Sequence, residues 1–214
     1  MSPGIFIYGS GGHARVIADI LASAGRTLAG FIDDDPSKRG KDGPGPLIIG
    51  PEALPGPGTE ADALVIIGIG DNAARKRAAA RMEAAGMPVF DTAVHPSAVI
   101  GGNTSLGPGT VVMAGAVINC GTAIGRHVIV NTAAGIDHDC RIGDFVHISP
   151  GARLGGGVSV GTGTWIGLGA SVINNCRIGR NVIVGLGAAV IMDIPDSWVV
   201  AGNPARFLRM NEES

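Results

Sequence analysis

The chain has 214 residues, 45% of them apolar, enough to bury a sizeable core in one large domain or two small ones. A formal net charge of −2 without a basic cluster excludes a nucleic-acid partner held by a charged surface, and the longest apolar runs, such as ALVIIG, fall far short of a membrane span. Three widely spaced cysteines with no CxxC fit neither a disulfide framework nor a zinc site; with no basic leader ahead of the first strand, they predict a reduced, cytoplasmic protein.

In chain order, IFIYG from Ile5 reads as a strand, HARVIADILASAG as a helix closed by Gly25, and LAGFIDD from Leu28 as a second strand. ALVIIGIG from Ala63 reads as a third strand, NAARKRAAARMEAAG as a helix closed by Gly86, and MPVFDTAV as a short fourth strand. This β-α-β order implies a small parallel sheet over residues 1–94, half the size of a full dinucleotide fold. The stretch 36–58, rich in Gly and Pro around the apolar PLIIG, is expected to be a mobile loop or lid.

Within that half, GSGGHA from Gly9 to Ala14 follows a strand, opens a helix and fits G-x-G-x-x-A, with Asp33 at the end of the next strand. Gly9 and Gly11 let the backbone approach a phosphate, and the helix N-terminus favours its charge. The domain is too small for NAD, so a mononucleotide-type ligand is expected, within reach of His13 and with Asp33 and Asp34 placed for its base or sugar hydroxyls.

From Ile100 the rhythm changes. An aliphatic residue stands at every sixth position, from Ile100, Leu106, Val112 and Ile118 through Ile136 and Ile142 to Val184 and Val190, with a small or β-branched residue two places before each. Residues i−2 and i point the same way on a strand, so each hexad turns one short strand inward and then bends. Three bends close a triangular coil, and Gly107, Gly125, Gly143, Gly161 and Gly179, one in every third hexad, mark one corner of the resulting prism. Coils stack about 4.8 Å apart, and each buried aliphatic contributes roughly 1.5–3 kcal/mol. This repeat domain spans 95–193, and a closing segment follows at 194–214.

The same period sorts the outward residues into columns. A first face carries Val111, Ile129, His147, Trp165 and Ile183; a second Ser105, Ala123, Arg141, Ser159 and Arg177; a third Val99, Val117, Gly135, Arg153, Ser171 and Ala189. Only the first is consistently large and apolar, so it is expected to pack against a neighbouring subunit, the alternative being cover by the chain's own C-terminal segment.

His138 stands at a bend two residues after Ile136, between Asp137 and Asp139, with Cys120 and Gly156 as its column neighbours. A carboxylate that accepts from Nδ1–H leaves Nε2 free as a base and stabilises the imidazolium; Asp139 or Asp137 is placed to do this. His127 and His95 read as structural or solvated. The set His127, His138 and His147 follows no metal-ligand spacing, so no metal is expected. Cys140 points inward by register, which leaves Cys120 as the rival nucleophile.

The segments IFIYGSGGHARVIADIL, GFIDDDP, VIIGIGDNAARKR, HPSAVIG, INCGTAIG, VNTAAGIDHDCRIGDFVHISPGARLGGGVSVG and AGNPAR together resemble the bacterial sugar acyltransferases related to sialic acid O-acetyltransferase. Within that family the resemblance is to the nucleotide-sugar N-acetyltransferases, such as those acting on GDP-perosamine and on UDP-4-amino sugars. It implies a left-handed parallel β-helix behind the half-Rossmann domain, and a homotrimer with active sites between subunits. It also implies a function: acetyl transfer from acetyl-CoA to the amino group of a nucleotide-linked 4-amino-4,6-dideoxy sugar for polysaccharide biosynthesis. By the resemblance, His138 is the general base and Asp139 raises its basicity. His147 and the backbone near Gly156, Leu168 and Gly185 line the acetyl-CoA groove, Gly202, Asn203 and Pro204 flank the pantetheine arm, and Gly11, His13, Asp33 and Asp34 hold the nucleotide sugar. The alternatives are O-acetylation of a sialic acid or polysaccharide precursor, which needs no nucleotide, and a non-catalytic nucleotide-binding scaffold.

Overall fold

The computed structural model describes residues 4–40, 47–53, 63–84, 86 and 89–212. Strands β1 (Ile5–Tyr8), β2 (Leu28–Ile32), β3 (Ile48–Ile49), β4 (Leu64–Ile67) and β5 (Val89–Phe90) form a parallel sheet in the order β3-β2-β1-β4-β5. Helices α1 (Gly12–Ser23) and α2 (Asn72–Ala84) make the crossovers, and Gly25 and Gly86, at φ 68° and 66°, turn the chain out of them.

The expected loop at 36–58 contains regular structure. Pro36–Lys38 forms a 3-10 turn under an Asp35 cap, and Ile48–Ile49 pairs with Phe31–Ile32 as the edge strand. Residues 41–46 and 54–58 of that stretch lie outside the described residues. The expected fourth strand divides in two. Val89–Phe90 completes the sheet, whereas Ala93–Val94 pairs with Val111–Val112 and is already the first rung of the repeat. Arg26 fixes the bend between them by an ion pair with Asp91 and a 2.8 Å bond to the Thr92 carbonyl.

From Ala93 onward the chain winds through two-residue strands that stack in parallel into three sheets, each strand pairing with the one eighteen residues on, as Val117 with Gly135 and Ile129 with His147. The hexad aliphatics form one continuous core from Val112 to Val190, closed above by Ile194 and Val200. At the lower end Leu106 is half-buried and Ile100 is 38% exposed, because no full coil lies beneath them. Each corner places its third residue in the left-handed region. That position is mostly Gly or Asn, but it is His127 at φ 54°, Ala133 at 54°, Asp139 at 59° and Phe145 at 57°. The sheet of the first face is then extended by Trp198–Ala201 and by Arg206–Met210, which returns antiparallel to it.

The first face does not wait for a neighbour. Val111 and Ile129 are buried, 1% exposed each, in one cluster with Ile5, Ile17 and Leu21 of the same chain's N-terminal domain. The sheet domain of the same chain thus covers the lower part of the stripe, the C-terminal segment extends the sheet edge-on, and Trp165 in the same column stays 46% exposed. Arg75 of α2 locks the contact: its guanidinium is buried and donates to the carbonyls of His127 (2.9 Å), Phe145 (3.0 Å) and Gly70 (2.9 Å). Burial lowers it to about 10, so it remains a cation at neutral pH.

Candidate active site

His138 occupies the corner between the third and second faces. Its Nδ1 lies 2.8 Å from Asp139 Oδ2, and the side chain is 57% exposed. The left-handed backbone at Asp139, which Asp tolerates better than most residues, sets the carboxylate beside the ring. Because the carboxylate accepts, the hydrogen is on Nδ1 and Nε2 carries the free lone pair. The imidazole titrates above the ordinary 6.5, chiefly because of the Asp139 hydrogen bond and then the charge of Asp137.

The choice left open between the two aspartates is resolved by geometry. Asp137 turns away from the ring: its Oδ1 accepts from the His138 backbone N–H at 2.9 Å and from Asn119 Nδ2 at 2.8 Å. These bonds hold its carboxyl below the usual range and pin the bend that presents the histidine. Gly156, one coil above, is buried directly against the imidazole, where a Cβ would stand 2.5 Å from Nε2. Asn119 went unnoticed in the sequence; its place one coil below Asp137, eighteen residues earlier, is the signal that finds it. Cys120 is exposed, whereas Cys140 is buried in the core with its thiol raised by burial.

The second cluster lies where the strand order of the small sheet reverses, between the C-terminal ends of β1 and β4, the usual ligand crevice of open parallel sheets. Gly9, at φ 103°, swings the chain over Gly68, and Gly11 starts α1 with no side-chain cap, leaving its first amides to a ligand. Asp33 is buried at the crevice edge and is fully engaged by Ser10 Oγ (2.5 Å), Lys38 Nζ (2.9 Å) and the Asp35 amide (3.0 Å). Burial alone would raise this carboxyl, but the three hydrogen bonds and the Lys38 charge outweigh it and hold it below the usual range. Asp34 bonds Tyr8 Oη and Arg81 Nη2, both at 2.6 Å.

His147, in the apolar column of the first face, borders this crevice. It stacks on Trp165 at 6.0 Å between ring centroids, contacts Asn131 Nδ2 at 3.0 Å through Nε2, and bonds the Gly70 backbone. Burial lowers it to about 4, helped by the charges of Arg75 and His13; burial and Arg75 do the same to His13.

The expected acetyl-CoA residues therefore do not converge within one chain. Gly156 sits with His138, His147 sits with the Gly loop, and Leu168, Gly185, Gly202, Asn203 and Pro204 follow the corner between the first and third faces. Leu168 is 58% exposed there.

Residues 4–82 match the family described as the PglD N-terminal domain. A UDP-N-acetylbacillosamine N-acetyltransferase of Bacillus subtilis is 41% identical over 115 residues, a stretch spanning 51% of each chain, about half the length of that relative. A His mutant of perosamine N-acetyltransferase from Caulobacter crescentus, solved in complex with CoA and GDP-perosamine, is 36% identical with a TM-score of 0.86, covering 96% of this chain and 97% of that one. The chain belongs to the nucleotide-sugar N-acetyltransferases. Another structure with that architecture, the acetyltransferase domain of PglB from Neisseria gonorrhoeae in complex with acetyl coenzyme A, is 35% identical, covering 97% of this chain and all of that one, with a TM-score of 0.87. The fold of the repeat domain is thus the left-handed parallel β-helix of these N-acetyltransferases, despite the right-handed rule for ordinary parallel crossovers. No helix among the described residues is long and apolar enough to cross a membrane.

Proposed function

We propose that the protein transfers acetyl from acetyl-CoA to the amino group of a nucleotide-linked 4-amino-4,6-dideoxy sugar, with His138 as general base. The observation that carries this reading is the His138–Asp139 pair, with Nδ1 engaged at 2.8 Å and Nε2 unbonded on the open side of the corner. The amine attacks the thioester carbonyl directly, and Nε2 takes the proton that the nitrogen sheds as the C–N bond forms. Asp139 balances the imidazolium, which then returns the proton to the departing thiolate as the C–S bond breaks. Direct transfer makes no use of Cys120.

In the same reading the crevice at Gly11 and His13 takes the nucleotide sugar, with the diphosphate over the uncapped start of α1. Asp33 holds Ser10 and Lys38 in place at its rim, a supporting role in place of the ribose contact expected from sequence. This crevice lies against the first face, whereas His138 lies on the corner away from it, so a complete site needs His138 from a second copy. The surface that suits such a copy is the third face with its two corners, where Val99 is 59% exposed, Ile191 56%, Met192 59% and Leu186 79%. A homotrimer closes this arrangement with three equal sites. Thiol release from acetyl-CoA, measured against UDP-, GDP- and dTDP-linked amino sugars and the free sugars, tests the function. Equal rates on free and linked sugars overturn the nucleotide requirement, and release with no amino sugar overturns the reading as a whole.

A further inference from the structure

Along one corner of the prism His127, Phe145 and Gly163 stand one above another in successive coils, each in the left-handed region at φ 54°, 57° and 75°. They spread over roughly 10 Å of the axis. Their carbonyls receive no backbone N–H among the described residues. The first turn of α2 supplies all three. Arg75 donates Nε to the His127 carbonyl (2.9 Å) and Nη2 to that of Phe145 (3.0 Å), and Asn72 donates Nδ2 to that of Gly163 (3.0 Å). Asn72 Oδ1 also accepts from Arg75 Nη2 at 2.7 Å, which joins the two side chains into one unit.

The other arm of the guanidinium holds the wall of the crevice. Nη1 donates to the carbonyls of Ile69 (3.1 Å) and Gly70 (2.9 Å), in the turn between β4 and α2. The Gly loop lies against that turn: a Cβ on Gly9 would stand 3.2 Å from the Gly68 carbonyl oxygen and 3.4 Å from Ile69 Cγ1. The five N–H groups of Arg75 thus meet five acceptors, none of them a carboxylate. Only a planar fork reaches them all, since an ammonium carries its donors on a single atom.

In the reaction proposed above, the amine sits in this crevice while the base comes from the prism of a second copy. The sheet domain must therefore keep its height and angle on its own prism. Val111 and Ile129 packed on Ile5, Ile17 and Leu21 do not specify that register, because hydrophobic contact is non-directional. Arg26 orders only the bend at Asp91 and Thr92. Hydrogen bonds to three successive coils are directional and do specify it. We propose that Arg75 and Asn72 are positioning residues for the acetyl transfer: they set the nucleotide-sugar crevice against the coils at His127, Phe145 and Gly163, so that the bound amine meets the imidazole. This inference rests on the acetyl-transfer reading above and adds the residues that align its two halves.

Steady-state kinetics of Asn72→Ala, Arg75→Lys and Arg75→Ala, each below its own melting transition, test it. Asn72→Ala loses the tie at Gly163 and should lower kcat about tenfold, while Arg75→Lys keeps the charge without the fork and should lower it roughly a hundredfold, the scale of a 1 Å misplacement. Calorimetric affinity for the nucleotide sugar and KM for acetyl-CoA should stay as in wild type. The acidic limb of the rate profile should not move either, because the His138–Asp139 pair is untouched. Wild-type kcat in folded Asn72→Ala and Arg75→Lys overturns the proposal and leaves the contacts a role in stability alone. A loss of nucleotide-sugar affinity with kcat preserved also overturns it, since Arg75 would then act as a charge for the substrate. If Arg75→Ala does not fold, the two milder variants decide. Should wild type release no thiol with any amino sugar, the acetyl-transfer reading falls and this proposal with it, whereas unaffected variants of an active enzyme overturn this proposal alone.

Discussion

Gly156 lies against the imidazole of His138, one coil above it, and a methyl group on Gly156 would stand 2.5 Å from Nε2. The backbone at Gly156 is not left-handed, so a side chain is excluded by the ring and not by strain. Gly156→Ala should push the ring off Asp139 and occupy the space beside Nε2. The expected result is a fall in kcat of at least about tenfold, on the scale of misplacing a catalytic group, with a melting temperature close to wild type. Normal turnover with an intact fold would show that Nε2 has no part in the reaction.

The proposed base predicts a graded series. His138→Ala should lower turnover by roughly 10²–10⁴, and Cys120→Ala should leave it largely intact. Asp139→Asn should cost less than His138→Ala and should also move the pH profile. His138 titrates above 6.5 because of its Asp139 bond, so activity requiring neutral imidazole is lost as pH falls through that raised value. Without the carboxylate the acidic limb should shift to lower pH. A rate profile whose acidic limb is the same in the two proteins would remove Asp139 from the proposed role.

The repeat was legible in the sequence because its core needs an aliphatic at every sixth residue, a constraint no loop can imitate. The Gly column was legible for a second reason: at Gly143 or Gly161 the next coil's backbone leaves no room for a Cβ. What covers the first face was not legible. A column of apolar side chains announces burial, but Val111 and Ile129 look the same whether a subunit or α1 lies on them. Arg75 was equally hidden, since nothing in NAARKRAAARMEA sets it apart from Lys76 and Arg77, yet this one arginine is 1% exposed and bonds four carbonyls across the junction and at the end of β4. The edge strand Ile48–Ile49 escaped because two residues amid Pro and Gly carry no period.

That junction should respond to acid. His127 is fully buried between Phe90 and Phe145 with neither ring nitrogen bonded, and His13 and His147 lie in the adjoining crevice. Burial, with the charges of Arg126 and Arg75, lowers His127 to about 4; His13 and His147 are lowered to about 4 as well. An unfolded chain takes up these protons near 6.5 and the folded one only near 4, so their contribution is intact above 6.5 and is lost as pH falls toward 4. Melting temperature should therefore drop between pH 7 and pH 4.5. His127→Phe should flatten part of that slope, whatever it does to stability at neutral pH. An equal slope in both proteins would mean that His127 is not sealed at the junction.

The corner glycines separate two demands that composition alone confuses. At Gly143 a Cβ would meet the Thr162 amide nitrogen at 2.7 Å and the Gly161 carbonyl carbon at 3.1 Å, both backbone atoms of the coil above. Gly143→Ala must therefore prise two coils apart, and a loss of about 1–3 kcal/mol is expected, as for overpacking a tight core. Gly151 has the opposite character: it sits at φ 68° with open space around it, so Gly151→Ala meets only the cost of a left-handed alanine, about 1–2 kcal/mol. Asn tolerates that backbone region, as Asn175 and Asn181 do at the same hexad position on the other two corners, so Gly151→Asn should recover most of the loss. Gly143→Asn should be no better than Gly143→Ala. Denaturant midpoints for the four variants distinguish the cases, and a rescue by Asn at residue 143 would show that coil-to-coil contact is not what reserves that column for glycine.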